Sequence, residues 1–276
     1  MRVFILALDG LEYELVMGWK LHNLMQEHCG KYRAPISPRY GKPHTPSAWV
    51  SFITGLPPEE HGIDDWWKWG RLLDWIRLHP PFRWIKNKRV IAAALGIKPK
   101  TYTREDLRVE TIFDAVKPSI ALFVPGYNEP PEPHYELNEA LRRGIREYER
   151  KIWEIHNWRV SKLTERLNDE WRLFMVWLDL ADLLGHIYIV KNRARLLKAY
   201  WELDWLAGWL RAKLLSEDPH TAFLIVSDHG MQVSDDGVTG DHSPHGFWSS
   251  NVPLPREPKE ITDFRDIILE LVGVVR

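Results

Sequence analysis

The sequence lacks the features that mark several large classes of protein. It has a single cysteine, Cys29, in 276 residues, which excludes an internal disulfide and a zinc site built from cysteines. Such cysteine usage is typical of a reducing compartment, so we expect a cytoplasmic protein. The 37 basic and 38 acidic residues leave a net charge of −1. Because no overall positive field exists, we expect no stable binding to nucleic acid or to an anionic membrane.

Long hydrophobic runs are missing as well. The opening run Val3–Leu8 reaches Asp9 after six residues, which is too short for a signal peptide and far short of the ~20 residues that span a bilayer. We find no internal repeat and no composition shift typical of a linker. With 45% hydrophobic residues, the chain can bury a large core, and we predict one domain over residues 1–276.

Short apolar runs alternate with amphipathic stretches along the chain. The predicted strands are Val3–Leu8, 120–124, Leu173–Leu178 and 222–226. The predicted helices are 47–54, 104–116, 136–167, 192–215 and 261–272. The stretch 136–167 is dense in Arg and Glu, which predicts a solvated face. This alternation favours the α/β class, with a mainly parallel, doubly wound sheet and helices on both faces.

Tryptophan is abundant, with 15 residues in the chain. Five lie close together: Trp66, Trp67, Trp69, Trp75 and Trp84. The pattern of residues 64–100 suits neither a core strand nor a surface helix, so we interpret them as an insertion or cap. Its indole rings could stack on an aromatic part of a substrate, or they could form a core or a homodimer interface.

Three apolar runs of the sequence end in aspartates. Asp9 follows the first, Asp179 and Asp182 follow the second, and Asp228 follows the third together with His229. In open α/β sheets, ligands bind beyond the carboxyl ends of the strands. Carboxylates gathered there would repel each other without a counter-charge, so the pattern predicts divalent cations. Taken singly, Asp9 or Asp179 could instead cap the helix that follows it.

Histidines extend the predicted set of ligands. Asp182 and His186 are four residues apart, on one face of a helical turn, and Gly185 between them allows another group to approach closely. His242 and His245 follow in a loop, and the residue types alone leave both open as ligands. Mixed carboxylate and imidazole ligands favour Zn²⁺, with Mn²⁺ as an alternative, and their number indicates two cations.

Five motifs together resemble a known family. The segment HTPSAWVSFITGLPPEEHGI, residues 44–63, resembles the nucleophile motif of the type I phosphodiesterase/nucleotide pyrophosphatase branch of the alkaline phosphatase superfamily. Four other motifs follow the order of that family: Asp9-Gly10, Asp182-x-x-Gly185-His186, Ser227-Asp228-His229-Gly230-Met231 and His245-Gly246-Phe247.

The resemblance implies an alkaline-phosphatase-like catalytic domain that hydrolyses phosphoric esters through a phospho-threonine on Thr45. It implies two metal sites. The ligands of the first are Asp9, Thr45, Asp228 and His229, and those of the second are Asp182, His186 and His245. His245 is preferred to His242 because the family motif is His-Gly-aromatic. His61 and Gly62 are implied to be structural, at the end of the segment behind the nucleophile.

The sequence also departs from the family. Ser47-Ala48 replace the Pro-Asn that follows the nucleophile, so the group that holds the phosphate is open between Lys42, Arg39 and a backbone amide. A Cys/Ser-x-Pro-x-Arg motif is missing near Thr45, which argues against a sulfatase. The resemblance favours small phosphodiesters or nucleotides as substrates. The alternatives are a phosphomonoesterase and a catalytically silent metal-binding interaction module.

Overall fold

The computed structural model describes residues 1–69 and 99–274. The strands of this part of the chain are β1 (Val3–Leu8), β2 (His28–Arg33), β3 (Trp67–Lys68), β4 (Lys100–Thr101), β5 (Ser119–Leu122), β6 (Leu173–Leu178), β7 (Ala222–Ser227), β8 (Gly230–Val233), β9 (Gly240–Ser243) and β10 (His245–Ser250). Six of them form the central sheet, in the order β2-β10-β7-β1-β6-β5. The sheet is parallel from β7 to β5, and β10 and β2 are antiparallel to their neighbours.

The helices of the same residues connect and cover these strands. They are α1 (Tyr13–Gly18), α2 (His22–Met25), α3 (Thr45–Thr54), α4 (Pro58–His61), α5 (Ile112–Ala115), α6 (Glu132–Arg143), α7 (Ile145–Arg166), α8 (Leu180–Tyr188), α9 (Arg193–Glu217) and α10 (Asp263–Val272). None of these helices is both long enough and apolar enough to cross a bilayer.

The core lies on both faces of the three central strands. Every residue of β1, β6 and β7 is buried, although successive side chains of a strand point to opposite faces. At the centre, the ring of Phe4 stacks on Phe174 and Phe223, with centroids 5.1 and 5.4 Å apart. Continuous apolar runs of this kind belong to sheets covered on both faces. The predicted α/β class with a mainly parallel sheet is confirmed.

Two predicted helices are wrong in extent. Residues 104–116 form a short 3₁₀ turn at Arg104–Asp106 and the single turn of α5, because Thr103 and Thr111 each begin a separate capping box. Residues 136–167, predicted as one long or bent helix, form parts of two helices, α6 and α7. The chain between them has Gly144 at φ 117, a conformation that only glycine adopts readily and that interrupts the helix.

The tryptophan-rich stretch is described only at its two ends. Trp67 of β3 pairs with Thr101 of β4, so the two described ends of this stretch lie side by side. Residues 70–98 lie outside the described residues, and Trp75 and Trp84 are among them. The single domain with a cap at residues 64–100 stays a prediction.

Candidate active site

The carboxyl ends of the central strands bring the predicted aspartates together. β1 pairs with β6 on one side and with β7 on the other, so the residues that follow these strands lie at one edge of the sheet. Asp9 follows β1, Asp228 follows β7, and Asp182 lies in the first turn of α8, which begins directly after β6. All three carboxylates are buried.

The first ligand group consists of Asp9, Asp228 and His229. Their candidate ligand atoms all lie within 4.8 Å of one another. His229 Nε2 is 3.3 Å from Asp9 Oδ1 and 3.3 Å from Asp228 Oδ2. The Ser227 hydroxyl donates to the His229 carbonyl at 2.6 Å and accepts from the Leu11 amide at 2.8 Å. These two bonds fix the loop after β7 against the loop after β1.

Thr45, the predicted nucleophile, lies beside this group. Its Oγ1 is 3.4 Å from Asp9 Oδ1 and 3.3 Å from His229 Nε2. Thr45 is the first residue of α3, with Pro46 in the first turn, where the missing N–H of proline costs nothing. The amino end of a ten-residue helix favours a negative charge through its free amides and its dipole. The hydroxyl therefore faces both the ligand group and a position suited to an anion.

The second ligand group consists of Asp182, His229 and His242, whose candidate ligand atoms also lie within 4.8 Å of one another. His186 adjoins the group, since its Nε2 is 3.3 Å from Asp182 Oδ1 and 3.2 Å from His242 Nε2. The rings of His229 and His242 stack with centroids 3.7 Å apart. Because His229 belongs to both groups, the two groups are contiguous.

Backbone carbonyls fix the orientation of all three imidazoles. The Nδ1 atoms of His186, His242 and His229 lie 2.7, 2.8 and 3.0 Å from the carbonyl oxygens of Gly240, Pro43 and Gly230. A carbonyl only accepts, so each Nδ1 carries the hydrogen. In the neutral rings, each Nε2 is thereby left with its lone pair towards the ligand groups, which is the arrangement seen in histidines that bind metals.

Burial and like charges act together on two of the three carboxylates, those of Asp9 and Asp228. Burial raises the pKa of Asp9 well above its usual value, and Asp228 and Asp182 raise it further. Burial also raises the pKa of Asp228, with a further contribution from Asp182. The pKa of His229 is lowered well below its usual value by burial and by the neighbouring His242. Positive charge within the cluster would favour the ionised carboxylates.

The donor set fits two divalent cations. Asp182 Oδ1 and both carboxylate oxygens of Asp228 are buried without a hydrogen-bond partner among the described residues. Buried carboxylate oxygens in this state are costly unless they are paired or bound to metal. Three carboxylates and three oriented imidazoles offer the mixed oxygen and nitrogen ligands that suit Zn²⁺.

The structure places the two candidate histidines differently. His245, the preferred ligand, is exposed at the start of β10 and paired with Arg33 on the edge strand β2. His242, the alternative, lies in the second ligand group instead. His242 reaches the second ligand group because β8 and β9 pair as a hairpin, in which His242 is opposite Met231. A sequence pattern typical of a loop shows no such register.

The His-Gly-aromatic motif has a packing explanation. A Cβ on Gly246 would collide with the ring of Tyr32, so only glycine fits opposite this side chain. The Tyr32 hydroxyl donates to the Ser227 carbonyl at 2.5 Å, and this bond supports the loop that carries Asp228. Gly246 is thus required next to the site, while the histidine before it lies outside both ligand groups.

Gly185 allows the predicted close approach. A Cβ there would lie 2.9 Å from the side chain of Met231, so the hairpin could not pack so closely against α8. This contact carries His242 towards Asp182 and His186, the two candidate ligands on α8.

The remaining predicted residues have structural partners. The Nε2 atom of His61 is 3.0 Å from the Ser51 hydroxyl, and its Nδ1 atom accepts from the Ile63 amide at 3.2 Å. The contact with Ser51 joins α4 to the nucleophile helix. Arg39 pairs with Asp65 at 2.6 Å, and Lys42 pairs with Asp241 at 2.5 Å. Both candidates for holding the phosphate are therefore ion-paired. The choice of the group that holds the phosphate stays open between these two side chains and a backbone amide.

Glu12 is a supporting residue that the sequence did not indicate. Its Oε2 accepts from the Met231 amide at 2.9 Å and from the Ser243 hydroxyl at 3.0 Å. It thereby binds both strands of the hairpin that carries His242. A glutamate a few residues after a strand is common in any sequence, so no signal could have identified it.

Comparison with known proteins identifies sequence relatives. Residues 3–243 match the family described as Type I phosphodiesterase / nucleotide pyrophosphatase, a range that includes His242 and excludes His245. Over 235 residues, 83% of this chain, the sequence is 25% identical to human (Homo sapiens) ectonucleotide pyrophosphatase/phosphodiesterase family member 1. The match covers 23% of the human protein, so the chain spans about a quarter of that relative's length.

Solved structures share the fold. Murine ectonucleotide pyrophosphatase/phosphodiesterase 5 superposes with a TM-score of 0.60 at 12% identity, over all of this chain and 96% of the murine chain. An inactive threonine-to-alanine variant of that murine protein, in complex with AMP, gives a TM-score of 0.58 at 13% identity, over 100% and 96% of the two chains. Alkaline phosphatase from the Antarctic bacterium TAB5 gives 0.54 at 10% identity, over 100% and 99%.

Proposed function

Because this chain belongs to the type I phosphodiesterase/nucleotide pyrophosphatase family, we propose that it is a metal-dependent phosphoric ester hydrolase that cleaves phosphodiesters or nucleotide pyrophosphates. The observation that carries the proposal is the position of Thr45. Its hydroxyl is 3.3 Å from His229 Nε2, the ligand atom common to both ligand groups, and it begins a helix whose amino end favours an anion.

The proposed ligands follow from the geometry. Asp9, Thr45, Asp228 and His229 hold one cation, and Asp182, His186 and His242 hold the other. The oriented Nε2 atoms and the unpartnered carboxylate oxygens support this set. Zn²⁺ suits it best, and Mn²⁺ is the substitute. Bound there, the cations lower the pKa of the threonine hydroxyl and neutralise charge on the phosphate oxygens.

Thr45 carries the covalent chemistry in this proposal. After Thr45 loses its hydroxyl proton to solvent, Oγ1 attacks phosphorus, and the bond from phosphorus to the leaving oxygen breaks. The leaving group departs with the electron pair of that bond and takes a proton from water. A water molecule then attacks the phospho-threonine, the bond from phosphorus to Oγ1 breaks, and Oγ1 regains a proton. One water is consumed for each ester bond that is cleaved.

Nucleotides are the favoured substrate class. The inactive variant of the murine relative was solved in complex with AMP, and this chain has an aromatic side chain close to the residue before the nucleophile. The ring of Trp66 lies 6.4 Å from that of His44, the residue before Thr45. We propose that a base attached to the reacting phosphate stacks in this region. Homodimer formation through the tryptophan-rich segment and a cytoplasmic location stay predictions.

Metal removal tests the proposal. We expect chelator-treated protein to be inactive and Zn²⁺ or Mn²⁺ to restore hydrolysis of bis(p-nitrophenyl) phosphate, since the hydroxyl is a poor nucleophile without a cation. The monoester p-nitrophenyl phosphate should be the poorer substrate. Preference for the monoester would make the protein a phosphatase. Metal binding without turnover of nucleotides or of either ester would instead indicate a catalytically silent module.

A further inference from the structure

A buried arginine lies behind the start of helix α8. Arg159 of α7 is 0% exposed, although the charged pattern of this stretch predicts a solvated face. Its Nη1 is 2.5 Å from Asp179 Oδ1, and its Nη2 donates to Glu129 Oε1 at 3.2 Å. The guanidinium also lies 4.5 Å from the ring centroid of Trp177. A buried charge is retained only where paired groups compensate for its desolvation.

Asp179 occupies the N-cap position of α8 but does not cap it. Its side chain makes no capping hydrogen bond, although aspartate at this position normally accepts from the first-turn amides. The carboxylate points to Arg159 instead. Asp182 follows three residues later on the same helix, so the arginine fixes the turn that carries a proposed metal ligand.

Of the two carboxylates that pair with Arg159, Glu129 also has a histidine beside it. Glu129 Oε1 lies 3.1 Å from His134 Nε2 as well as near the arginine. Among the residues that the structure describes, the Asp179 carboxylate forms its ion pair with Arg159. Loss of the guanidinium would therefore leave Asp179, rather than Glu129, as an uncompensated buried charge.

Asp179 lies directly before the turn of α8 that carries the proposed ligand Asp182. Without a partner, its carboxylate could turn towards a bound cation or distort that turn. Neutralised and held by Arg159, it does neither.

We propose that Arg159 is a positioning residue that holds Asp179 away from the metal cluster, so that the second site keeps the ligands Asp182, His186 and His242. The inference rests on the proposed function, because it takes those residues as metal ligands. The positioning role of Arg159 differs from a general packing role because it depends on the charge of Asp179. Removal of that charge should make the arginine dispensable.

A double-mutant cycle tests this dependence. The variants are Arg159→Met, which keeps an apolar side chain beside Trp177, Asp179→Asn, and the two together. We expect Arg159→Met to weaken zinc binding by up to about 10- to 100-fold, the range for loss of a group bonded directly to a metal ligand. The double variant should recover most of that loss, because a neutral amide replaces the Asp179 carboxylate.

The readouts separate positioning from packing. Zinc affinity is measured by competition with a chromophoric chelator, the second site is followed by the visible spectrum of Co²⁺-loaded protein, and folding is followed by thermal unfolding of the metal-free protein. We expect the Co²⁺ spectrum to change in Arg159→Met and to return in the double variant. If Arg159→Met does not fold, the double variant alone must bind zinc nearly as tightly as wild type.

Two results would overturn the role of Arg159. One is wild-type zinc affinity in Arg159→Met, and the other is a double variant that binds no more tightly than Arg159→Met. Failure of the premise that Asp182, His186 and His242 bind metal gives a different result, since wild-type protein would then lack the second zinc site. The inference and its premise can thus fail separately.

Discussion

Replacement of Thr45 by alanine is expected to lower the kcat of the zinc-loaded protein for a phosphodiester by about 10⁴-fold or more. This is the scale of loss when a covalent nucleophile is removed. The reason is that Oγ1 is the one group proposed to form a bond to phosphorus. Asp9, Asp228 and His229 remain in Thr45→Ala, so zinc should still bind. The measurement is kcat for bis(p-nitrophenyl) phosphate, with zinc content determined on the same samples.

Thr45→Ser is the matched control for this variant. Serine keeps the hydroxyl at the start of α3 and loses only a methyl group, so it should retain measurable turnover. Wild-type kcat in zinc-loaded Thr45→Ala would show that Thr45 is not the nucleophile. A loss of zinc as large as the loss of turnover would assign the effect to metal binding instead of the covalent step.

The second large effect is expected from replacement of His242, and it distinguishes this histidine from His245. His242→Ala should weaken zinc binding by more than the about 100-fold that loss of an outer-sphere partner can cost, and turnover should fall with it. The physical reason is that His242 Nε2 lies 3.5 Å from Asp182 Oδ1 and its ring stacks on His229. Zinc affinity and kcat are measured on protein prepared in parallel with wild type.

His245→Ala is the control, three residues away in sequence. Its side chain is exposed at the start of β10, so we expect wild-type zinc affinity and turnover. The opposite pattern, with zinc lost in His245→Ala and kept in His242→Ala, would restore the ligand set implied by the family motif and would contradict the register of the β8–β9 hairpin.

The sequence was sufficient to predict the parts of the site that follow central strands. Val3–Leu8 and Leu173–Leu178 are strands with the predicted bounds, because continuous apolar runs of this length are buried on both faces. Asp9, Asp182 and Asp228 therefore came together as predicted. Their position depends on the pairing of β6, β1 and β7, which the alternation of strands and helices already favoured.

Other parts depended on contacts that a sequence does not display. The position of His242 near Asp182 depends on hairpin register, and the glycine of the motif serves the packing of Tyr32. The edge strand β2, with the polar sequence HCGKYR, has no apolar run to mark it. Arg159 lies in a helix dense in charges, where nothing local distinguishes a buried arginine from solvated ones.

Anomalous diffraction from zinc-loaded crystals would show whether two cations lie beside the Thr45 hydroxyl. We expect two peaks at the zinc edge. One should lie about 2.0 to 2.2 Å from ligand atoms of Asp9, Asp228 and His229, with Thr45 Oγ1 beside it, and the other equally near Asp182, His186 and His242. A single peak, or a second peak bound by His245, would contradict this expectation.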